Sequence, residues 1–390
     1  MYNFVYNIPV KVYFGKDQLS NLGPELSKYG KKVLITYGGG SIKKIGLYDK
    51  VVNEIKKAGL ELYEAGGIEP NPRIETIRKA VELCKKEGIE VLLAIGGGST
   101  IDSTKLIAAA SKSDRDAWDF VANGAPINDA LPLMSILTLA ATGSEMDPVG
   151  VITNPETKDK LGFGSPHCLP KVSFLDPTNT FTVSAYQTAC GSADIFSHTM
   201  ETYFSMERDF YMLDGVAEVI LKTVIKYAPI AIAEPDNYEA RANLMWASSW
   251  AINGFLKDGS TRGWSCHPME HELSAIYDIT HGLGLAILTP RWLEYCLDET
   301  TLPMYVKYGV NVWGIDAGKP EMEIAKEAIA KTAEFLSTTL GLKSTLKEVG
   351  IDSSEFKLMA EKSCRRGNGK IEGFKTLTPA DVEKIYEMCL

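Results

Sequence analysis

The sequence predicts an α/β domain built on a parallel sheet, followed by an all-helical domain. Three observations predict it. From residue 1 to residue 182, short β-branched apolar runs alternate with amphipathic stretches, the pattern of a parallel, Rossmann-like sheet flanked by helices. Two of the apolar runs end directly in glycine clusters, at Gly38-Gly39-Gly40 and Gly96-Gly97-Gly98. From residue 183 to residue 390 the strand signals fade and long helical periods take over.

In chain order, residues 32–37 (KVLITY) predict a strand. Residues 47–58 predict a helix, with Leu47, Val51, Val52 and Ile55 as its apolar positions. Residues 61–63 read as a short strand, and Pro70, Asn71 and Pro72 as a loop before a helix over 74–87. Residues 91–95 (VLLAI) are apolar throughout, and a run this short bounded by glycine predicts a buried strand. Residues 133–139 and 172–175 complete the core strands. In the second half, helical periods cover 194–204, 213–227, 239–255, 321–339 and 379–388, punctuated by Pro229, Pro235, Gly259, Pro268 and Gly282. A cleft between two such domains is the expected place for a ligand.

Composition narrows the function classes. The chain has 390 residues, 45% apolar and 23% charged, enough for two substantial cores. A net charge of -9 without a basic stretch argues against a nucleic-acid partner. The apolar runs fall far short of the roughly 18 residues that a membrane span needs. The first ten residues lack the basic-then-apolar order of a secretion signal. Seven scattered cysteines, an odd number without a CxxC pair, read as reduced buried thiols of a cytoplasmic protein rather than metal ligands.

Glycines at the carboxyl end of a parallel strand let backbone approach a ligand, and the following helix points N–H groups at an anion. Each cluster alone is equally well explained as a tight strand-to-helix turn. Two in one sheet favour a nucleotide site, although neither is a GxGxxG. A third segment, 138–145 (TLAATGSE), places hydroxyls and a glycine after a third strand. Those hydroxyls suit a phosphate or a nicotinamide carboxamide, or Ser144 simply caps a turn. In the first cluster no Asp or Glu awaits an adenosine ribose. Ser41, Lys43 and Lys44 follow instead, which favours NADP(H) over NAD(H).

Three of the five histidines, His267, His271 and His281, fall within 15 residues. Asp194 and His198, four apart in a helical period, share a face. Pro268 reads as the first residue of a helix, with His267 just before it and His271 one turn on. A straight helix would set residues 267 and 281 roughly 21 Å apart, whereas ligands of one metal lie about 2.0–2.2 Å from it. The chain must therefore turn back, and residues 277–280 (YDIT) suit the turn. Each histidine alone fits a hydrogen-bonded core residue, and Asp194 fits a helix cap. Clustered, one carboxylate and three imidazoles suit Fe(II) or Zn(II) with an open position. His167 stands outside this set.

The segments GGGSTID (96–102), TLAATGSEMD (138–147) and HPMEHELSAIYDITHG (267–282) resemble those of the iron-containing alcohol dehydrogenases, in particular their clostridial-type butanol dehydrogenase branch. The likeness spans nearly the whole chain, including YGGGSIKK (37–44) and ARANLMWASSWAING (240–254). It implies hydride transfer between a nicotinamide dinucleotide and a small alcohol or aldehyde. It implies Asp194, His198, His267 and His281 as metal ligands, and His271 beside the nicotinamide without binding metal. Cofactor contacts are implied from Gly38, Gly39, Gly40 and Ser41 at the adenosine end. Gly97, Gly98, Ser99 and Asp102 would serve the phosphates, and Thr138, Thr142 and Lys160 the nicotinamide. NAD-preferring relatives carry an aspartate at the position of Gly39. Asn71 resembles a position lining the substrate pocket, and a homodimer or larger assembly is the implied state.

Three rivals are weighed against this. A lyase of related architecture, like dehydroquinate synthase, needs clustered cations for its anionic substrate, and between residues 194 and 281 only Arg208, Arg241 and Arg262 are arginines. A metal-dependent hydrolase would use Glu201, Glu270 or Glu272 as base but leaves the glycine loops unexplained. A non-catalytic dinucleotide-binding protein would bind cofactor without turnover.

Overall fold

The alternating runs resolve, in a computed structural model that describes residues 3–205, 210–257 and 263–390, into two compact units. Gly259, Arg208 and Arg262 lie outside the described residues. One unit is Asn7–Val183 together with Pro235–Ser249; the other is Ser184–Glu234 and Trp250–Leu390 with the residues before Asn7. The linear boundary at 182/183 thus marks one crossing of the chain, and the segment Pro235–Ser249 returns to the sheet unit.

The sheet unit contains β1 (Lys11–Phe14), β2 (Lys32–Tyr37), β3 (Glu61–Ala65), β4 (Val91–Gly96), β5 (Leu133–Leu137), β6 (Val149–Asn154), β7 (Asp159–Gly164) and β8 (Val172–Leu175). Six of these form one sheet in the order β1-β8-β5-β4-β2-β3, every pair parallel. Its helices are α1 (Leu22–Leu26), α2 (Ser41–Lys44), α3 (Leu47–Lys57), α4 (Ile74–Glu87), α5 (Gly98–Ala110) and α6 (Ala117–Ala122). Because side chains alternate along a strand, Val33 and Ile35 pack with Leu22, Leu26, Val51 and Ile55. Leu34 packs on the opposite face with Ile77, Val81, Leu106 and Ile107. Both faces being covered explains why β4 is apolar at every position. Each such fully buried aliphatic side chain contributes about 1.5–3 kcal/mol.

The sequence reading misses β1 and the antiparallel hairpin β6–β7. β1 is half exposed over four residues, and the hairpin runs are broken by Gly150, Gly162 and Gly164. Gly150 is there for close approach: a Cβ on it would stand 2.8 Å from the Phe163 ring and 3.3 Å from the Asp102 backbone.

The remaining helices are α7 (Ala185–Ser205), α8 (Tyr211–Ala233), α9 (Tyr238–Ile252), α10 (Cys266–Tyr277), α11 (His281–Cys296), α12 (Leu302–Asn311), α13 (Glu321–Glu334), α14 (Phe356–Cys364) and α15 (Pro379–Met388). A two-stranded ribbon, Ile371–Glu372 with Thr376–Leu377, is the one strand pairing described there. Pro229 does not stop its helix; it lies inside α8. The period over 321–339 divides into α13 and a π-helical turn, Phe335–Thr339. Among the described residues no helix is long and apolar enough to cross a membrane, and all seven cysteines are free and buried.

Candidate active site

In the helical unit the carboxylate and imidazoles meet at one point. α7 begins nine residues before the predicted start because residues 185–187 are exposed and 188–193 are small residues that bury without an amphipathic period. It carries Asp194 and His198 one turn apart on a face buried on all sides. α10 starts at Cys266, so His267 is already helical and Pro268 is the third residue rather than the first. The reversal falls at Asp278, in the left-handed region at φ 52°, and extended Thr280, after which His281 opens α11.

This turn brings His281 back to His267. The Nε2 atoms of His198, His267 and His281 stand 3.4, 3.6 and 3.6 Å from the same atom, Asp194 Oδ1. Donors at tetrahedral positions, each about 2.0–2.2 Å from a cation, are about 3.3–3.6 Å apart. The three distances to Asp194 Oδ1 match this spacing, and Asp194, His267 and His281 are the donors whose atoms also lie within 4.8 Å of one another. Asp194 Oδ1 and His267 Nε2 are buried without a hydrogen-bond partner among the described residues, which a coordinated cation would satisfy.

Two further carboxylates orient the rings, and sequence reasoning had offered them only as rival bases. Glu201 Oε1 accepts from His267 Nδ1 at 2.5 Å, while its Oε2 accepts from the backbone N–H groups of Ser265 and Cys266, both at 2.6 Å. Glu270 is hydrogen-bonded to His281 Nδ1 and accepts from the Ser274 hydroxyl. A proton on Nδ1 leaves the Nε2 lone pair for a metal. Glu272 faces Lys362 at 3.1 Å, so all three candidate bases of a hydrolase are engaged. Spacing gives no signal for the first two: Glu201 and Glu270 bond His267 and His281, which lie on other helices.

Electrostatics follow from burial and from these partners. Burial pushes the His198 imidazole down to about 3, with the Asp194 charge opposing. Burial is the largest influence on His267 and opposes its charged form, but the Glu201 and Asp194 carboxylates together outweigh it and lift this group to about 9. Asp194 is held well below the usual carboxylate range, because the surrounding imidazoles overcome its burial. His271 lies one turn along α10, its ring centroid 6.3 Å from that of His267 and 5.7 Å from that of His281. His167 is exposed on a short turn of the sheet unit.

The loops of the sheet unit also come together. Strand order reverses between β2, whose chain proceeds outward to β3, and β4 on its other side. Ligands of open parallel sheets bind at such a switch point, beyond the carboxyl ends of the strands. Both glycine clusters lie there. Gly40, at φ 99°, starts the short turn of α2, and a Cβ on Gly39 would meet nothing within 4 Å. Ser41, Lys43 and Lys44 are exposed. Gly97 caps α5, whose first residues are Gly98 and Ser99. A Cβ on Gly98 would stand 2.3 Å from Thr142 Cγ2, so the second and third loops touch only because this residue is glycine. The Thr138 N–H donates to the Gly96 carbonyl at 3.0 Å. Lys160 Nζ donates to Asn71 Oδ1 at 3.0 Å, joining two positions 89 residues apart.

Asp102 is placed differently from the expectation of a phosphate contact. Its Oδ1 accepts from the Ser144 hydroxyl at 2.5 Å and its Oδ2 from the Val151 N–H at 2.9 Å. Ser144 is therefore a bridge rather than a cap, and it also accepts from Lys105 Nζ at 2.6 Å. Lys105, fully buried, continues to Asp147 and the Val149 carbonyl. Burial lifts the Asp102 carboxyl to about 6, against the opposing charge of Lys105.

A parallel sheet with glycine loops at its switch point, and a helical unit gathering one carboxylate and three imidazoles, define the class of metal-dependent dinucleotide oxidoreductases. Comparison with known proteins gives the family. Residues 9–177 match iron-containing alcohol dehydrogenase and residues 188–390 match the C-terminal domain of the Fe-containing alcohol dehydrogenase family; the chain belongs to this family. It is 54% identical over 387 residues to the NADH-dependent butanol dehydrogenase A of Clostridium acetobutylicum, covering 99% of each chain. It is 38% identical over 391 residues to the NADPH-dependent aldehyde reductase YqhD of Escherichia coli, again covering 99% of each. Among solved structures, the NADH-dependent butanol dehydrogenase A of Thermotoga maritima superposes with a TM-score of 0.93 at 37% identity, covering 99% of this chain and 98% of that one. Family membership implies a divalent metal and a nicotinamide cofactor, and the donor set around Asp194 fits the former.

Proposed function

We propose that this protein reduces small aldehydes such as butanal to primary alcohols, and catalyses the reverse, with NADP(H) preferred to NAD(H). The observation that carries the reading is the convergence of three imidazole Nε2 atoms on Asp194 Oδ1. In this reading Asp194, His198, His267 and His281 hold one divalent cation, Fe(II) or Zn(II). Bound there, it would supply Lewis-acid polarisation of a carbonyl oxygen and, in reverse, ease deprotonation of the alcohol. The reduced nicotinamide would supply the hydride.

The chain's own residues do the rest. Asp194 contributes the one anionic donor, and Glu201 and Glu270 fix two rings so that their lone pairs stay aimed. Gly39, Gly40 and the amino end of α5 receive the adenosine phosphates and the pyrophosphate. Thr138, Thr142 and Lys160 orient the nicotinamide, with Lys160 steadied by Asn71. In this reading the proton of the product alcohol comes from water, relayed through the cofactor ribose or through His271, one turn from a ligand. Asp102, Ser144 and Lys105 shape the third loop from behind.

Relatives of both cofactor types exist, as their names state, so the residues of the first loop support the choice. Open space at Gly39 and exposed Ser41, Lys43 and Lys44 suit a 2′-phosphate. Glu64, the carboxylate at the end of β3, is engaged by the hydroxyls of Tyr37 and Tyr48. The test is oxidation of NADPH and NADH with butanal, on protein stripped of metal and reloaded anaerobically with Fe(II) or Zn(II). Turnover that returns with metal and runs faster on NADPH is the expected result; no turnover with either cofactor under any metal would overturn it. Replacing Gly39→Asp should shift kcat/KM towards NADH by on the order of tenfold or more, because a carboxylate repels the 2′-phosphate. We also propose a homodimer or larger assembly in the cytoplasm, which light scattering and cell fractionation would check.

A further inference from the structure

His198 is held differently from its neighbours. His267 and His281 each have a carboxylate on Nδ1. His198 Nδ1 is buried with no hydrogen-bond partner among the described residues. Something else must fix its ring, since an imidazole free to rotate about its side-chain bonds loses its aim at a metal.

What surrounds that ring is aromatic. His198 stacks on His267, with centroids 4.6 Å apart and planes 15° from parallel. The Trp264 indole packs against both rings, 5.1 Å from His198 and 4.6 Å from His267. The indole is itself anchored: Trp264 Nε1–H donates to Thr202 Oγ1 at 3.1 Å. Thr202 stands one turn beyond His198 on α7, so the clamp on His198 is tied to the helix that carries it.

We propose that Trp264 is a positioning residue for metal binding: its ring does for His198, by packing, what Glu201 and Glu270 do by hydrogen bonding for the other two imidazoles. The inference rests on the reading of Asp194, His198, His267 and His281 as a metal site. It assigns the indole no contact with substrate. It also distinguishes ring from hydrogen bond: a smaller aromatic keeps most of the packing, whereas an aliphatic side chain leaves His198 loose.

The test is titration of metal-free wild type, W264F, W264A, T202V and H267A with Co(II), followed by visible absorption and chelator competition. Thermal midpoints of the metal-free proteins are measured alongside. Expected are one Co(II) bound by wild type, near-wild-type binding by W264F, and binding weakened by roughly 10- to 100-fold in W264A. The W264A absorption bands should also change, while its metal-free midpoint stays close to that of W264F. T202V, which keeps the indole but cuts its anchor, should fall between them and serves if W264A does not fold. Wild type and W264A binding alike, with the same spectrum, would overturn the inference while leaving the site intact. So would equal losses in W264F and W264A. Failure of wild type to take up Co(II), or full binding by H267A, would bring down the metal site itself and this inference with it.

Discussion

At the scale of single residues, the buried acid in the third loop makes a prediction about pH. Glu145 is fully buried, accepts a 2.5 Å hydrogen bond from the Ser249 hydroxyl, and is lifted by burial to about 7. Its folded value thus exceeds its unfolded one, so between about pH 4.5 and pH 7 the folded state binds more protons than the unfolded state. That contribution to stability is complete below the window and is lost as pH rises through it. A displacement of two to three pH units corresponds to about 3 kcal/mol. Urea midpoints of wild type and Glu145→Gln at pH 5 and pH 7.5 should show wild type losing about that much relative to the variant; an equal gap at both pH values would refute it. Residue type made part of the candidate site legible. Asp194, His198, His267 and His281 are chemically rare and oddly spaced, so they declare themselves. Glu201 and Glu270 do not, because surface carboxylates are common and only the approach of α7, α10 and α11 gives these two their partners. Asp102 shows the converse: a motif position whose carboxylate turns inwards once Ser144 and Val151 are near.

At the scale of elements, the site depends on how closely two helices approach. A Cβ on Gly282 would stand 2.0 Å from the Cys190 carbonyl oxygen, on the backbone of α7. One on Gly284 would stand 2.7 Å from Glu270 Cγ. Gly282→Ala must therefore push α11 from α7 and carry His281 off the cluster. Overpacking of this kind costs about 1–3 kcal/mol, and we expect a lower thermal midpoint together with loss of bound metal on gel filtration. Gly39→Ala, with open space around it, is the matched control and should change neither. The elements most legible in the sequence are those whose period reports their burial. α4 is amphipathic, and both ends of its predicted helix are the observed ones; β4 is buried on both faces and apolar throughout. Illegible elements have no such period. α7 opens on three exposed residues and is then buried all round through small residues, β1 is a half-exposed edge, and α8 runs on through Pro229 because a proline's missing N–H costs one bond in a long packed helix.

At the scale of the whole molecule, the sheet unit is not continuous in sequence. Residues Pro235–Ser249 belong to it, and they bring two hydroxyls to the third loop. Ser248 accepts from the Gly143 N–H at 3.1 Å, and Ser249 donates to Glu145. A fragment ending at residue 183 would leave Gly143 and the Glu145 carboxyl without these partners, and unmade buried hydrogen bonds cost about 1–3 kcal/mol each. Such a fragment should unfold at distinctly lower urea than the same fragment with 235–249 joined by a flexible linker. Equal midpoints would show that the returning segment adds nothing. For anyone who would recombine these enzymes, the consequence is one of ancestry and engineering alike. The cut between the two halves of the gene is not a seam in the protein, and a chimera spliced there inherits one parent's third loop braced by the other parent's helix. Interchange should succeed only where the loop around Glu145 and the serines at 248 and 249 travel together, as a linked pair with residues 184–234 of the other unit between them.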